Sequence, residues 1–368
     1  MKEVYFVNLR ATSKNDSLLA KLEKALQKAN IKEKISEDDL TAIKLHFGEL
    51  GNTTYLRPVF FRKVVEQIKN YGGKPYLTDT NTLYVGSRAN AVDHLNTAIA
   101  NGFGYDSVNA PLIIADGLTG KNFIEVEINK KHCKKVKLAG DIVNAQSIVA
   151  VSHFKGHMLT GFGGTLKNLA MGGASRGGKQ VMHSSLLPEV TEACIGCATC
   201  QEWCPANAIE MVDDKAVIAP DICMGCGECP VSCPIRAIKI QWADTTSNVQ
   251  ERIAEYAYGL LKGKENKAIF INFLTDVTPD CDCVGWSDRP IVPDIGILVA
   301  TDPVAIDQAS VDLVNQQQGF VDSALGKNHA PGEDKFRGVH QKIDWSVQLA
   351  HGQAIGLGSR SYKLIQIG

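Results

Sequence analysis

"AIKLHFGELGNTTYLRPVFFRKVVEQIKNYGGKPYLTD", residues 42–79, reads as strand, helix, strand. Its first six residues (42–47) and last six (74–79) are short, apolar-rich runs of strand length. Between them Val59, Phe60, Lys63, Val64, Gln67 and Ile68 recur at helical spacing. Arg57-Pro58 fits a helix start, because proline lacks only a donor that the first turn leaves unused, and Tyr71-Gly72-Gly73 fits its end. The same rhythm extends outward. Further strand-like runs lie at 3–9, 111–116, 147–154, 267–274, 294–300 and 361–367. Helical patterns lie at 16–30, 88–101, 247–262 and from Pro303 to about 316. This alternation predicts an α/β fold with a largely parallel sheet and helices on both faces.

The rhythm breaks once, at the cysteines. Eight of the chain's 11 cysteines fall between Cys194 and Cys233. Cys194-x2-Cys197-x2-Cys200-x3-Cys204-Pro205 is followed by Cys223-x2-Cys226-x2-Cys229-x3-Cys233-Pro234, an internal repeat offset by 29 residues. Three thiolates on one tight loop reach three corners of an iron–sulfur cube, and the fourth corner lies beyond that loop. The cysteine before each proline therefore crosses to the other cube. One cluster is expected on Cys194, Cys197, Cys200 and Cys233, and the other on Cys223, Cys226, Cys229 and Cys204. A zinc site is the competing reading of paired Cys-x2-Cys motifs. The expected organisation is an α/β domain over 1–187, a small α+β two-cluster 4Fe-4S domain over 188–242, and the rest of the α/β domain over 243–368.

Composition narrows the function. The 368 residues are 21% charged and 44% hydrophobic, with a formal net charge of −1. No basic patch of the kind that binds nucleic acid or an anionic membrane stands out. No apolar run reaches membrane-spanning length. The polar N-terminus, MKEVYFVNLRATSKND, resembles neither a signal nor a transit peptide. A cytoplasmic location is the expectation, in keeping with cysteines clustered as metal ligands.

Beyond the strand at 147–154 runs a glycine-rich stretch, expected to be a loop with a short helix around Thr165–Met171. It leaves a strand's carboxyl end, where open α/β sheets bind ligands. His153, His157, Lys167 and His183 are the candidate catalytic residues there. Lys167, imidazoles and glycine N–H groups together suit an anion such as a carboxylate or phosphate. A metal on the histidines is the alternative, and a further metal or anionic ligand remains open. Gly173 to Lys179 also approaches a phosphate-loop pattern, with Gln180 where a hydroxyl should be. Cys281 and Cys283 share one side of an extended chain and could hold a metal or react with a substrate, although Asp280 and Asp282 oppose thiolate formation. Cys133, in the basic stretch 130–137, reads as incidental. Asp79 follows a strand and could reach the same edge. Asp302-Pro303 reads as a helix cap.

Two resemblances add to this. Residues 188–242 resemble the bacterial two-cluster ferredoxin module, which implies electron transfer. Over the full length, "HFKGHMLTGFGGTLKNLAMG" (153–172), "CDC" (281–283) and "PDIGILVATDPVAID" (293–307) resemble the family called domain of unknown function 362, members of which often carry a ferredoxin insert. That resemblance implies a fold and no reaction. The chain is also faintly similar to the nickel-pincer lactate racemases, with His157, Lys167 and His183 in matching order and "LRP" (56–58) in place of a threonine-arginine-proline motif. This implies that Lys167 and the flanking histidines line a pocket. The leading expectation is an iron–sulfur oxidoreductase working with a redox partner protein or a small-molecule substrate. The alternatives are a non-catalytic electron carrier or metal and cluster delivery protein, and a racemase-like cofactor isomerase.

Overall fold

A computed structural model describes residues 1–84, 86–183, 188–204, 206–223, 228–239 and 246–367. Eight strands form the central sheet: β1 (Lys2–Asn8), β2 (Leu40–Lys44), β3 (Lys74–Asp79), β4 (Leu112–Ile114), β5 (Ser147–His153), β6 (Ala268–Leu274), β7 (Gly296–Ala300) and β8 (Tyr362–Gln366). Their spatial order is β8-β1-β7-β6-β5-β2-β3-β4. From β6 to β4 every pairing is parallel. Only β7 runs the other way, antiparallel to both β1 and β6. The fold is therefore α/β with a mostly parallel sheet, as the sequence rhythm predicts.

Two hydrophobic cores cover the two faces. On one, the helices Leu18–Lys28 and Pro58–Asn70 bury Leu22, Leu26, Phe60, Phe61, Val64 and Ile68 against Val7, Ile43, Val149 and Ile271. On the other, the helices Thr165–Gly173, Thr246–Leu261 and Pro303–Asn315 pack on Ala42, Ile148, Ala150 and Phe270. All seven residues of β5 are buried, which is why its sequence runs apolar instead of alternating. The carboxyl ends of β2, β3, β5 and β6 meet on one edge of the sheet.

The structure departs from the sequence reading in two places. Residues 123–127 and 135–139 pair as an antiparallel hairpin within the first half. The glycine-rich stretch is more ordered than a loop. Lys155–His157 and Gly161–Gly163 pair as a short hairpin, and the helices Thr165–Gly173 and Arg176–His183 follow. Lys179 lies inside the second helix, so the phosphate-loop reading has no loop to stand on.

Between the two helices that flank the break, a small separate core forms around Cys200, Ile209, Ala216, Cys229, Cys233 and Ile238. Glu189–Val190 pairs antiparallel with Ile238–Lys239, and Ile209–Val212 with Lys215–Ile218. Both expected domain boundaries, at 187/188 and 242/243, touch positions outside the described residues. No helix among the described residues is long and apolar enough to cross a membrane.

Candidate functional site

The carboxyl edge of the sheet carries a dense set of buried charges. Lys44, the last residue of β2, lies 3.0 Å from the carboxylate of Asp79, the last residue of β3. Arg88 approaches the same carboxylate at 3.6 Å and Glu49 at 3.1 Å. Burial alone would raise the Asp79 carboxyl, but Lys44, His94 and Arg88 outweigh it and hold it below its ordinary value. After β5, Lys155 and His153 both reach Asp282, at 3.0 and 2.9 Å. Burial is again the largest influence on Asp282, and these two partners overcome it, so the carboxyl is held well down.

Lys167 stands on the helix Thr165–Gly173. That helix is fixed from outside its own segment: Thr165 N and Leu166 N donate to the buried Asp307 carboxylate at 2.7 and 2.9 Å. Asn168, the next residue, accepts from Lys44 at 2.8 Å and donates to Ser152 Oγ at 3.0 Å, tying the helix to β2 and β5. A Cβ on Gly172 would fall 2.2 Å from Lys44 Nζ, so any other residue there would displace the lysine's end from its place beside Asp79. Lys167 Nζ then donates to Cys281 Sγ at 3.2 Å. Among the described residues Lys167 pairs with no carboxylate, and the thiol occupies the position of its counter-ion.

Three histidines face this group as neutral rings. Burial, then Lys167, holds His157 well below the ordinary histidine value, and the same two influences take His183 down to about 3. His46 is lowered by burial and then by Arg88. His157 Nδ1 accepts from Leu159 N at 3.2 Å and lies 3.0 Å from Thr160 Oγ1, whose hydroxyl donates to the Phe162 carbonyl at 2.7 Å. His153 is placed differently from the expectation. Its Nδ1 faces Asp282 and its Nε2 faces the Thr275 carbonyl at 2.9 Å, so both nitrogens are engaged in holding the strand end. Lys167, His157, His183, Cys281 and Cys283 thus come together, Asp79 joins through the Lys44 network, and His153 supports them from behind. Cys133 is remote and inert, its thiol pushed up to about 12 by burial and by Glu255.

The sequence reading missed Lys44, Glu49, Tyr84, Arg88, Lys155 and Asn168. A signal existed for two of them. Lys44 interrupts an apolar strand, and Lys155 follows one directly, so each is a charge where burial is expected.

In the cysteine-rich segment, Cys194, Cys197, Cys200 and Cys233 line one cavity together with Ile195, Ala198, Met211, Ala216 and Ile238. Three of these cysteines come from the first repeat and one from the second. A second feature recurs in both repeats. Ala208 N donates to Cys204 Sγ and Ala237 N to Cys233 Sγ, each at 3.2 Å and each four residues on. Of the other set, Cys204, Cys223 and Cys229 are described and none is in a disulfide. Cys226 lies outside the described residues. Among the described residues no three His, Cys, Asp or Glu side chains converge as a single metal ion would require.

An α/β chain with this edge and these sequence motifs has relatives. Residues 41–312 match the family described as Domain of unknown function (DUF362), and the chain belongs to that family. Two solved structures show weak similarity. One is the lactate racemase apoprotein from Thermoanaerobacterium thermosaccharolyticum, at 13% identity and TM-score 0.40, covering 75% of this chain and 51% of that one. The other is a protein from Thermotoga maritima, at 10% identity and TM-score 0.35, covering 72% and 52%. The chain spans about half the length of either structure. Comparison with curated proteins gives no match.

Proposed function

We propose that this chain is an iron–sulfur protein whose eight clustered cysteines hold two 4Fe-4S clusters, and that it is an oxidoreductase serving the Lys167 chamber. The clusters would supply one-electron transfer. One observation carries the reading: Cys194, Cys197, Cys200 and Cys233 surround a single cavity otherwise walled by apolar side chains. A cube holds four thiolates apart around its own volume, whereas a zinc ion draws them to one point. The crossing of the fourth cysteine between repeats is the arrangement that the spacing predicts. Backbone N–H groups directed at Cys204 and Cys233 are donors of the kind that stabilise a reduced, more negative cluster.

In the α/β part, the residues themselves define what can bind. Lys44 and Arg88 are matched by Asp79 and Glu49 and Lys155 by Asp282, which leaves Lys167 as the cation at this edge with no carboxylate partner among the described residues, and the three neutral histidines can donate or accept a hydrogen bond without adding charge. Such a chamber favours a small anion over a cation. The electrons' other terminus is either this anion or a partner protein.

Protein purified without oxygen should contain about eight irons and a similar amount of acid-labile sulfide per chain. It should give a low-temperature electron paramagnetic resonance signal after dithionite. Cys233→Ser should remove roughly half the iron, because the cluster it completes has its other three thiolates in the opposite repeat. Zinc in place of iron, or no spin signal on reduction, overturns the proposal.

A further inference from the structure

The cluster module does not explain why two cysteines stand beside Lys167. Cys281 and Cys283 are free thiols, the first buried and the second half-buried. They share a hydrogen bond, and Lys167 Nζ lies 3.2 Å from Cys281 Sγ. Tyr84 closes the other side, donating to the Cys283 carbonyl at 3.0 Å. Asp282, between the two cysteines, is turned away and matched by Lys155 and His153. The acid that opposes a thiolate on sequence grounds is therefore already compensated. His46, Tyr84, Lys167, Asn168, His183 and Cys283 are each half-buried, so this side of the cluster keeps some contact with solvent.

We propose that Cys281 is a nucleophile for small anionic electrophiles, with Lys167 as its cationic partner and Cys283 as the thiol that shares its proton. The pair is unequal in the way this role needs. The bond from Cys283, followed by Lys167 and Lys155, holds the Cys281 thiol well below its ordinary value, while the same bond and burial push Cys283 up. The surroundings also select the partner. Lys44, Arg88 and Lys155 are matched by Asp79, Glu49 and Asp282, so the charge left beside Cys281 is that of Lys167, which would repel a metal cation and draw in an anion carrying an electrophilic carbon or sulfur. In the attack the Cys281 thiolate supplies the electron pair for the new bond, and the leaving group departs with the pair from the bond that breaks. No oxidant or reductant is consumed, so the step is independent of the clusters.

Iodoacetate and iodoacetamide test this directly. With either, a sulfur–carbon bond forms and iodide leaves, and the two differ mainly in charge. The native protein is labelled with each near pH 7, and the labelled thiols are located by mass spectrometry, with iron content followed alongside. Cys281 should label fastest, and its rate ratio of iodoacetate to iodoacetamide should exceed that of glutathione by roughly tenfold or more. Lys167→Met should abolish the excess, and Lys167→Arg should keep most of it. Cys281→Ser should remove the fast label. An unreactive Cys281, or a ratio equal to that of glutathione at full iron content, overturns the proposal. So does labelling that appears only after treatment with a chelator, which would mark a metal site. Loss of iron with fast labelling intact would count against the cluster reading alone.

Discussion

His94 is fully buried on the helix Ala91–Ala100, edge-on to Phe47, with Nε2 3.7 Å from Asp79. Neither ring nitrogen has a hydrogen-bond partner among the described residues. Burial takes its pKa down to about 3, against the pull of Asp79 and with help from Arg88, Lys179 and Lys44. The folded protein thus refuses a proton that the unfolded chain accepts near pH 6.5. Stability from this residue is complete above that pH and is lost as pH falls from 6.5 towards 3. His94→Phe should flatten the fall by up to about 1.4 kcal/mol per pH unit, one proton's worth, in urea unfolding measured across that window. Sequence could not have found this ring, because nothing in "AVDHLNTAIA" marks the histidine as facing inward. The candidates that sequence did find, Lys167, His157 and His183, were legible because they cluster in one stretch. Lys44, Arg88 and Lys155 come from three separate segments, and only the sheet brings them together.

At the scale of elements, the helix Thr165–Gly173 begins at Gly164, which has no side chain to cap it. Asp307, on the helix Pro303–Asn315, does so instead, and also accepts from Asn272 Nδ2 at 2.8 Å. Burial pushes Asp307 up to about 6 even though these donors pull it down. Asp307→Ala would orphan three buried donors, each worth about 1–3 kcal/mol, so the loss should exceed the ~1 kcal/mol typical of an exposed cap. Asp307→Asn keeps one acceptor and should lose less; thermal unfolding compares the two. The cap expected from sequence, Asp302, is in place as well and is itself buried, accepting from Val304 N and Ala305 N at 3.0 and 2.9 Å. That one is local and therefore readable, whereas the Asp307 cap spans more than a hundred residues. The missed hairpin at 123–139 has a different cause. Glu125, Glu127, Lys135 and Lys137 alternate with Ile124, Val126, Val136 and Leu138, which is a strand signal in its own right, but each run is only five residues long and lies outside the apolar rhythm of the main sheet.

At the scale of the molecule, the cysteine-rich segment closes on itself. Glu189 pairs with Lys239 and Val190 with Ile238, so the segment leaves and returns at neighbouring points. The helices Arg176–His183 and Thr246–Leu261, before and after it, pack against each other. Replacing residues 188–242 by a short Gly-Ser linker should therefore leave far-UV circular dichroism of an α/β protein and one cooperative thermal transition; a chain that melts without cooperativity would mean the segment is needed for folding. The main sheet behaves oppositely. β1 lies between β7 and β8, the last two strands in the chain, and pairs with both. Synthesis makes it well before either neighbour. A nascent chain halted before residue 296 would carry Val4 and Val7 with nothing to zip against, so ribosomal output cannot lock this architecture until β7 has emerged.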